Sequence, residues 1–308
     1  MSLVKSGEVL QQVAGAVPME CRENIVIIGS LAAAYAYFKD HKEMKVQTKD
    51  IDCLVKPYLL AAEKCQEITK QLYNAGWHRG NKGEYLNPGT SETPTDKLPA
   101  IRLYPPGINS DDENAWFIEL LIVPESSLDE GKKWSRIVID EGHFGLPSFR
   151  YLSITAFNPE KIDQLGIYYA RPQMLVLANL LEHPEIKPER MSASSADLGE
   201  KRSNKDLGRV LAIGYLAQES GLNNFNPWGY EWQVALQKCF PDEWKNLAKN
   251  TGNGLKELLQ SDEDLEEAHR TCAKGLLSSY TVKKEDLKEV GNRILGEAVG
   301  TLENTLIY

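Results

Sequence analysis

The stretch that decides the fold is ENIVIIGSLAAAYAYFKDHKEMKVQTKDIDCLVKP, residues 23–57. NIVIIG (24–29) is a β-rich apolar run closed by glycine, which reads as a buried strand. SLAAAYAYFKDH (30–41) is alanine-rich and free of breakers, so it reads as a helix with Ser30 as its N-cap. KDIDCLV (49–55) alternates polar and apolar before Pro57, as a half-buried strand does. YLLAAEKCQEITKQLYNAG (58–76) follows as an amphipathic helix ended by glycine.

Outward from this core the texture changes twice. From 77 to 155, EYLNPG, AIRLYPPG, AWFIELLIVP, SRIVID and FRYLSI read as strands separated by Gly, Pro, Asn and Asp clusters. NPGTSETPTDKLP and PPGINSDDEN read as mobile surface loops. From about 165 the chain turns helical, with segments expected at 171–182, 196–218, 229–239, 242–260, 262–278 and 283–303. An α/β domain (1–165) is therefore expected to precede a helical domain (166–308).

Composition narrows the function classes. With 42% hydrophobic and 26% charged residues, the chain has an ordinary globular make-up. No apolar run is long enough for a membrane span, and MSLVKSGEVLQQV lacks a secretory core, so a cytoplasmic protein without membrane partners is expected. Five dispersed cysteines form no CxxC pair, which argues against a disulfide framework or a cysteine zinc site. The net charge of −9 disfavours broad nucleic-acid binding, which depends on neutralising phosphates. A local basic patch from Arg190, Lys201, Arg202, Lys205 and Arg209 is the counterweight.

Asp50 and Asp52 carry the chemistry. Two residues apart on a strand, they share a face with Cα atoms roughly 6.5 Å apart. Carboxylates so placed repel unless cations lie between them, and Mg²⁺ takes one or two carboxylates together with substrate phosphates. Gly29 lets the backbone approach a ligand, and the helix start behind it offers free N–H groups and the Ser30 hydroxyl to phosphates. Glu119 is the one charged residue of AWFIELLIVP, so its burial calls for a partner. Metal beside Asp50 and Asp52 would serve, as would a structural ion pair. Arg102 of RLYPPG can point the same way as Glu119.

A strand ending in Gly-Ser, a helix, TKDID and a later strand with a lone carboxylate together resemble the nucleotidyltransferase superfamily, most closely its AbiEii-type toxin branch. The similarity covers residues 23–125, and more loosely 171–215, where EKRSNKDLGRVLAI resembles the branch's Lys-Asp helix. The resemblance implies an α/β (α+β) nucleotidyltransferase fold with a mixed sheet, followed by a helical domain. It implies an enzyme that moves an NMP from an NTP to an acceptor hydroxyl and releases pyrophosphate, using two Mg²⁺ ions or Mn²⁺. Asp50, Asp52 and Glu119 would be catalytic and metal-binding. Gly29, Ser30, Thr48, Lys49, Lys205 and Asp206 would bind the nucleotide. The acceptor is left open between a protein, a tRNA and a small molecule. Two departures stand out: the third carboxylate is commonly Asp rather than Glu, and RPQMLVLANLL offers Arg171 where a lysine is usual. They leave room for an alternative, a non-catalytic nucleotidyltransferase-fold module that binds a nucleotide and acts as a regulatory or toxin–antitoxin partner, with an antitoxin as a possible partner of the chain. Ser30 reads equally as a plain N-cap, and Lys205 and Asp206 as part of a solvated helix face. Trp228, Trp232 and Trp244 read as packing anchors.

Overall fold

The computed structural model describes residues 2–41, 43–80, 87–112, 115–124, 132–186 and 199–307. It is a mixed α/β protein that divides into two compact units, Met1–Arg171 and Pro172–Tyr308.

In the first unit the strands are β1 (Ser2–Val4), β2 (Ile25–Ile27), β3 (Val46–Thr48), β4 (Asp50–Val55), β5 (His78–Arg79), β6 (Arg102–Tyr104) and β7 (Phe117–Ile122). After them come β8 (Lys132–Ile139), β9 (Gly142–Phe149), β10 (Glu160–Ile162) and β11 (Ile167–Tyr169). The helices are α1 (Ser6–Ala16), α2 (Met19–Arg22), α3 (Gly29–Phe38), α4 (Tyr58–Asn74) and the single turn α5 (Leu152–Thr155). A seven-stranded mixed sheet runs in the order β10-β11-β2-β4-β7-β6-β5. At its centre β4 is antiparallel to β2 and parallel to β7. β1 pairs with β3, and β8 with β9, in two smaller ribbons.

The alternation of β4 decides which face is which. Ile51, Cys53 and Val55 are buried, and α4 packs on β4 and β7 with its buried Cys65 near Cys53. Asp50 and Asp52, one residue out of phase, point to the other face. Burial, and then the neighbouring Asp52 charge, push the Cys53 thiol far up, so it remains a neutral core residue.

Several expectations are corrected. FRYLSI is not a strand: β9 comes earlier, over GHFGLPSF, and Leu152–Thr155 forms a helical turn. The chain is not yet helical at 165, because β11 pairs with β2 and completes the sheet. The segment NPGTSETPTDKLP is tied down, with Gly89 bridged to His143 and Arg136 donating to the carbonyls of Thr90 and Thr93. Residues 84–86 of the strand expected at EYLNPG, 196–198 of the expected 196–218 helix and Arg190 lie outside the described residues.

The second unit contains α6 (Pro172–Ile186), α7 (Arg202–Glu219), α8 (Asn226–Cys239), α9 (Trp244–Asn250), α10 (Asn253–Gln260), α11 (Asp262–Lys274), α12 (Lys284–Arg293) and α13 (Gly300–Asn304). A six-residue π-helical stretch, Ile294–Val299, joins the last two. The expected helix at 242–260 is thus two, and α6 continues past Pro184. α7 is the hub, packed by α6, α10, α11 and α12. Gly208 permits its close approach to α11, since a Cβ there would lie 2.5 Å from Thr271 Oγ1. Trp228 and Trp232 are packing anchors: both are buried, and Trp232 Nε1 donates to Gln173 O at 2.9 Å. Trp244 is only half-buried. No helix among the described residues is long and apolar enough to cross a membrane.

Candidate active site

Gly29 begins the site. Its φ is +70°, a backbone conformation that L side chains rarely adopt. A Cβ at this position would stand 2.8 Å from Asp52 Oδ2. The turn and the carboxylate are therefore in contact distance only because residue 29 lacks a side chain. The amide of Ile28 donates to Asp52 O at 3.0 Å, which locks the turn to β4.

The N-cap of α3 lies two residues earlier than expected. It is Ile28, with no side-chain cap, and Ser30 lies inside the first turn. Ser30 is half-buried and is not the N-cap the sequence suggested. First-turn amides of a helix have no intrahelical acceptor, so this end offers N–H groups beside Asp52.

The register brings the third carboxylate alongside. Asp50 pairs with Phe117 and Asp52 with Glu119, so Asp50, Asp52 and Glu119 share one sheet face. Glu119, with 16% of its side chain exposed, accepts from Arg102 Nε at 2.8 Å. Arg102 is its register partner on β6, and its guanidinium lies 5.0 Å from the Phe117 ring centroid. The partner that Glu119 required is thus Arg102, on the face where the alternation of RLYPPG can place it. Among the described residues, no group of three or more His, Cys, Asp or Glu side chains converges as a metal site.

The donor chemistry still fits a hard cation. Asp50 and Asp52 are half-buried carboxylates on one strand face, next to a helix end suited to phosphate. Mg²⁺ is held by one or two carboxylates when substrate phosphates and water fill its other positions. Asp50 and Asp52 are the residues that would hold it; Glu119 is committed to Arg102.

The remaining expected residues divide. The buried Thr48 hydroxyl donates to Asp50 O at 3.2 Å, so it fixes the start of β4. Lys49 joins β3 to β4, and its carbonyl accepts from the Phe117 amide at 2.9 Å. Lys205 and Asp206 belong to the helical unit. Lys205 is half-buried on α7, whereas Asp206 is 7% exposed and 3.8 Å from Arg209 Nη1. Burial raises the Asp206 carboxyl above its usual range, against the opposing pull of Arg209, Lys205 and Arg202. Asp206 is thus not part of a solvated face.

The sequence reading missed the side chains beyond Glu119 on the same face, Tyr104 and His78. Tyr104 was detectable from the alternation of RLY. His78 was not, because β5 is two residues long.

No family model, curated protein or solved structure matches this chain.

Proposed function

We propose that the chain is a nucleotidyltransferase, built on the mixed-sheet core of that superfamily, that moves an NMP from an NTP to an acceptor hydroxyl. The observation that carries the reading is the contact of a glycine-opened helix start with Asp52, itself in register with Glu119. Phosphoryl transfer demands positioning and charge stabilisation more than covalent chemistry, and this arrangement offers both. The first-turn amides of α3 and the Ser30 hydroxyl would hold the distal phosphates. Asp50 and Asp52 would bind the divalent ion that neutralises phosphate charge. Glu119, oriented by Arg102, would take the proton of the acceptor hydroxyl. The acceptor oxygen bonds to the α-phosphorus as the bond from that phosphorus to the bridging oxygen breaks, and pyrophosphate leaves.

A second reading has its own support. With Glu119 paired to Arg102 and no three-ligand group among the described residues, a non-catalytic module that binds a nucleotide also fits.

Isothermal titration of each NTP with Mg²⁺, on wild type and Asp50→Ala/Asp52→Ala, tests binding. An α-labelled NTP incubated with candidate acceptors tests transfer. Mg²⁺-dependent binding lost in the variant, with label transferred, supports the enzyme. Binding without transfer supports the module, and no binding of any NTP removes both.

A further inference from the structure

A second recess lies at the far end of α3. The helix starts at Gly29 beside Asp52 and ends at Phe38, so its ten residues put about 15 Å between the two ends. Past its C-terminal end lies a cavity of about 350 Å³, with Tyr35, Lys39 and Asp40 on one side. Glu160, Asp163 and Tyr169 of the β10–β11 hairpin line the other, and almost all of the lining is polar.

Strand register builds the hairpin wall. Glu160 of β10 pairs with Tyr169 of β11, and the Tyr169 hydroxyl donates to Glu160 Oε2. Tyr169 is only 3% exposed, and its ring packs edge-on against Tyr35, with centroids 5.1 Å apart at 74°. A buried tyrosine whose hydroxyl ends on a carboxylate holds that carboxylate in place. Burial, and then Glu160, raise the Tyr169 hydroxyl; burial, and then Asp40, raise that of Tyr35, so both stay neutral.

The charges around the cavity are unequal in number and in freedom. Asp40, Glu160 and Asp163 supply three carboxylates, against the ammonium groups of Lys39 and Lys161. Lys161 Nζ is taken by Glu23 at 3.0 Å and lies 5.7 Å from the centroid of the Tyr168 ring. Lys39 is exposed at the helix cap. Among the described residues, neither Asp40 nor Asp163 is in a salt bridge. The C-terminal end of a helix also favours positive charge, and the last turn of α3 holds no basic residue. A bare metal ion is a poor match, because among the described residues no three acidic, His or Cys side chains converge. Carboxylates spread around a cavity are answered by cationic groups spread along a ligand.

We propose that this cavity binds a small organic polycation, a diamine or short polyamine, whose ammonium groups are held by Asp40, Glu160 and Asp163. An ammonium donates three hydrogen bonds and accepts none, which suits a wall of carboxylates. The site is separate from the carboxylates of β4 and does not depend on the nucleotidyl-transfer reading.

Isothermal titration of putrescine and of spermidine into the full chain, at physiological ionic strength, is the test. Wild type is expected to bind at least one of them. Asp40→Asn and Asp163→Asn should each weaken that binding about fivefold, the effect of one partly exposed ion pair, and the double variant about twenty-fivefold. Tyr169→Phe should weaken it about threefold by releasing Glu160. Glu289→Gln removes the same charge from an exposed position on α12 and should bind as wild type does. Melting curves verify that each variant is folded. Wild type that binds neither amine overturns the proposal. So does a double variant that loses no more affinity than Glu289→Gln, which would make the binding a general attraction to a chain of net charge −9. Displacement of the amine by an equal concentration of Mg²⁺ would replace it with a metal ion. Free lysine that binds more tightly than either amine would give the cavity to an amino acid, with Lys39 on its carboxylate.

Discussion

The two units use acidic side chains in opposite ways. On the sheet, Asp50, Asp52 and Glu119 are set by strand register on one half-buried face, beside a glycine turn. In the helical unit, Asp264 and Glu267 are fastened by named donors. Asp264 accepts from Lys201 Nζ at 2.6 Å and Asn204 Nδ2 at 2.8 Å. Glu267 accepts from the Lys201 amide at 3.2 Å and from Asn204 Nδ2. Burial alone raises the Asp264 carboxyl, yet Lys201, Asn204 and Ser261 outweigh it and hold it below its ordinary range. These bonds pin the start of α7 to α11, so the acids there serve stability. Strand register gathers the sheet acids on one face, whereas donors from a neighbouring element fasten the helical acids into a joint.

The difference is tested most severely by removing charge without removing shape. Asp50→Asn/Asp52→Asn is expected to lower the transfer rate by about a thousandfold or more, since preorganised charge at the reacting phosphate is the dominant contribution. The melting temperature should hardly move, because the side chains keep their volume on a half-buried face. A variant that melts many degrees lower would make these acids a joint as well. Asn204→Ala should do the reverse. It strips a donor from both Asp264 and Glu267, and leaving buried acceptors short costs about 2–3 kcal/mol in chemical denaturation, with NTP affinity intact.

Gly29→Ala tests the contact that opens the site. An L residue held at φ +70° costs about 1–3 kcal/mol, and its Cβ would press on Asp52 Oδ2. Both stability and Mg²⁺-dependent NTP binding should fall together. Loss of stability alone would show that the turn shapes the fold and not the phosphate site.

Much of the sheet side was legible in the sequence because its signals are local. Gly29-Ser30, the alternation of KDIDCLV and the lone charge of AWFIELLIVP each report on a few consecutive residues, and β2, β4 and β7 form there. What was not legible depends on distant partners. β10, β11 and the two-residue β5 are too short to show a period, and only the pairing of β10 with β11, β11 with β2 and β5 with β6 makes them strands. Ser30 missed the N-cap position because locking Ile28 to Asp52 O sets the cap two residues early. Asp206 looked solvated in EKRSNKDLGRVLAI because nothing local shows that α6, α10, α11 and α12 surround α7.

Arg102 and Glu119 sharpen the comparison from the sheet side. The pair is short but partly exposed, at 29% and 16% of the side chains. A double-mutant cycle with Arg102→Gln and Glu119→Gln should give a coupling of about 1 kcal/mol in stability, discounted for solvent screening. In the transfer assay the two single variants should be non-additive if Arg102 acts by orienting Glu119. Full additivity would separate the arginine from the carboxylate and leave Glu119 without its orienter.

The smallest effect belongs to Asp206, and its sign separates the two kinds of acid. Burial raises its carboxyl above the usual 3.8, so the folded protein holds this proton at pH values where the unfolded chain has released it. A carboxyl raised on folding adds stability that is fully present below the unfolded value and is lost as pH rises through the folded one. Asp206→Asn lacks that dependence. The stability of wild type relative to Asp206→Asn should therefore fall as pH rises from 3.5 towards neutrality, measured as the difference in urea midpoints across that range. The opposite slope would mean that Arg209, 3.8 Å away, governs the site and that Asp206 is ionised in the fold. It would then be a charge held by a cation, as Glu119 is by Arg102, and the division between the two units would narrow to one of exposure.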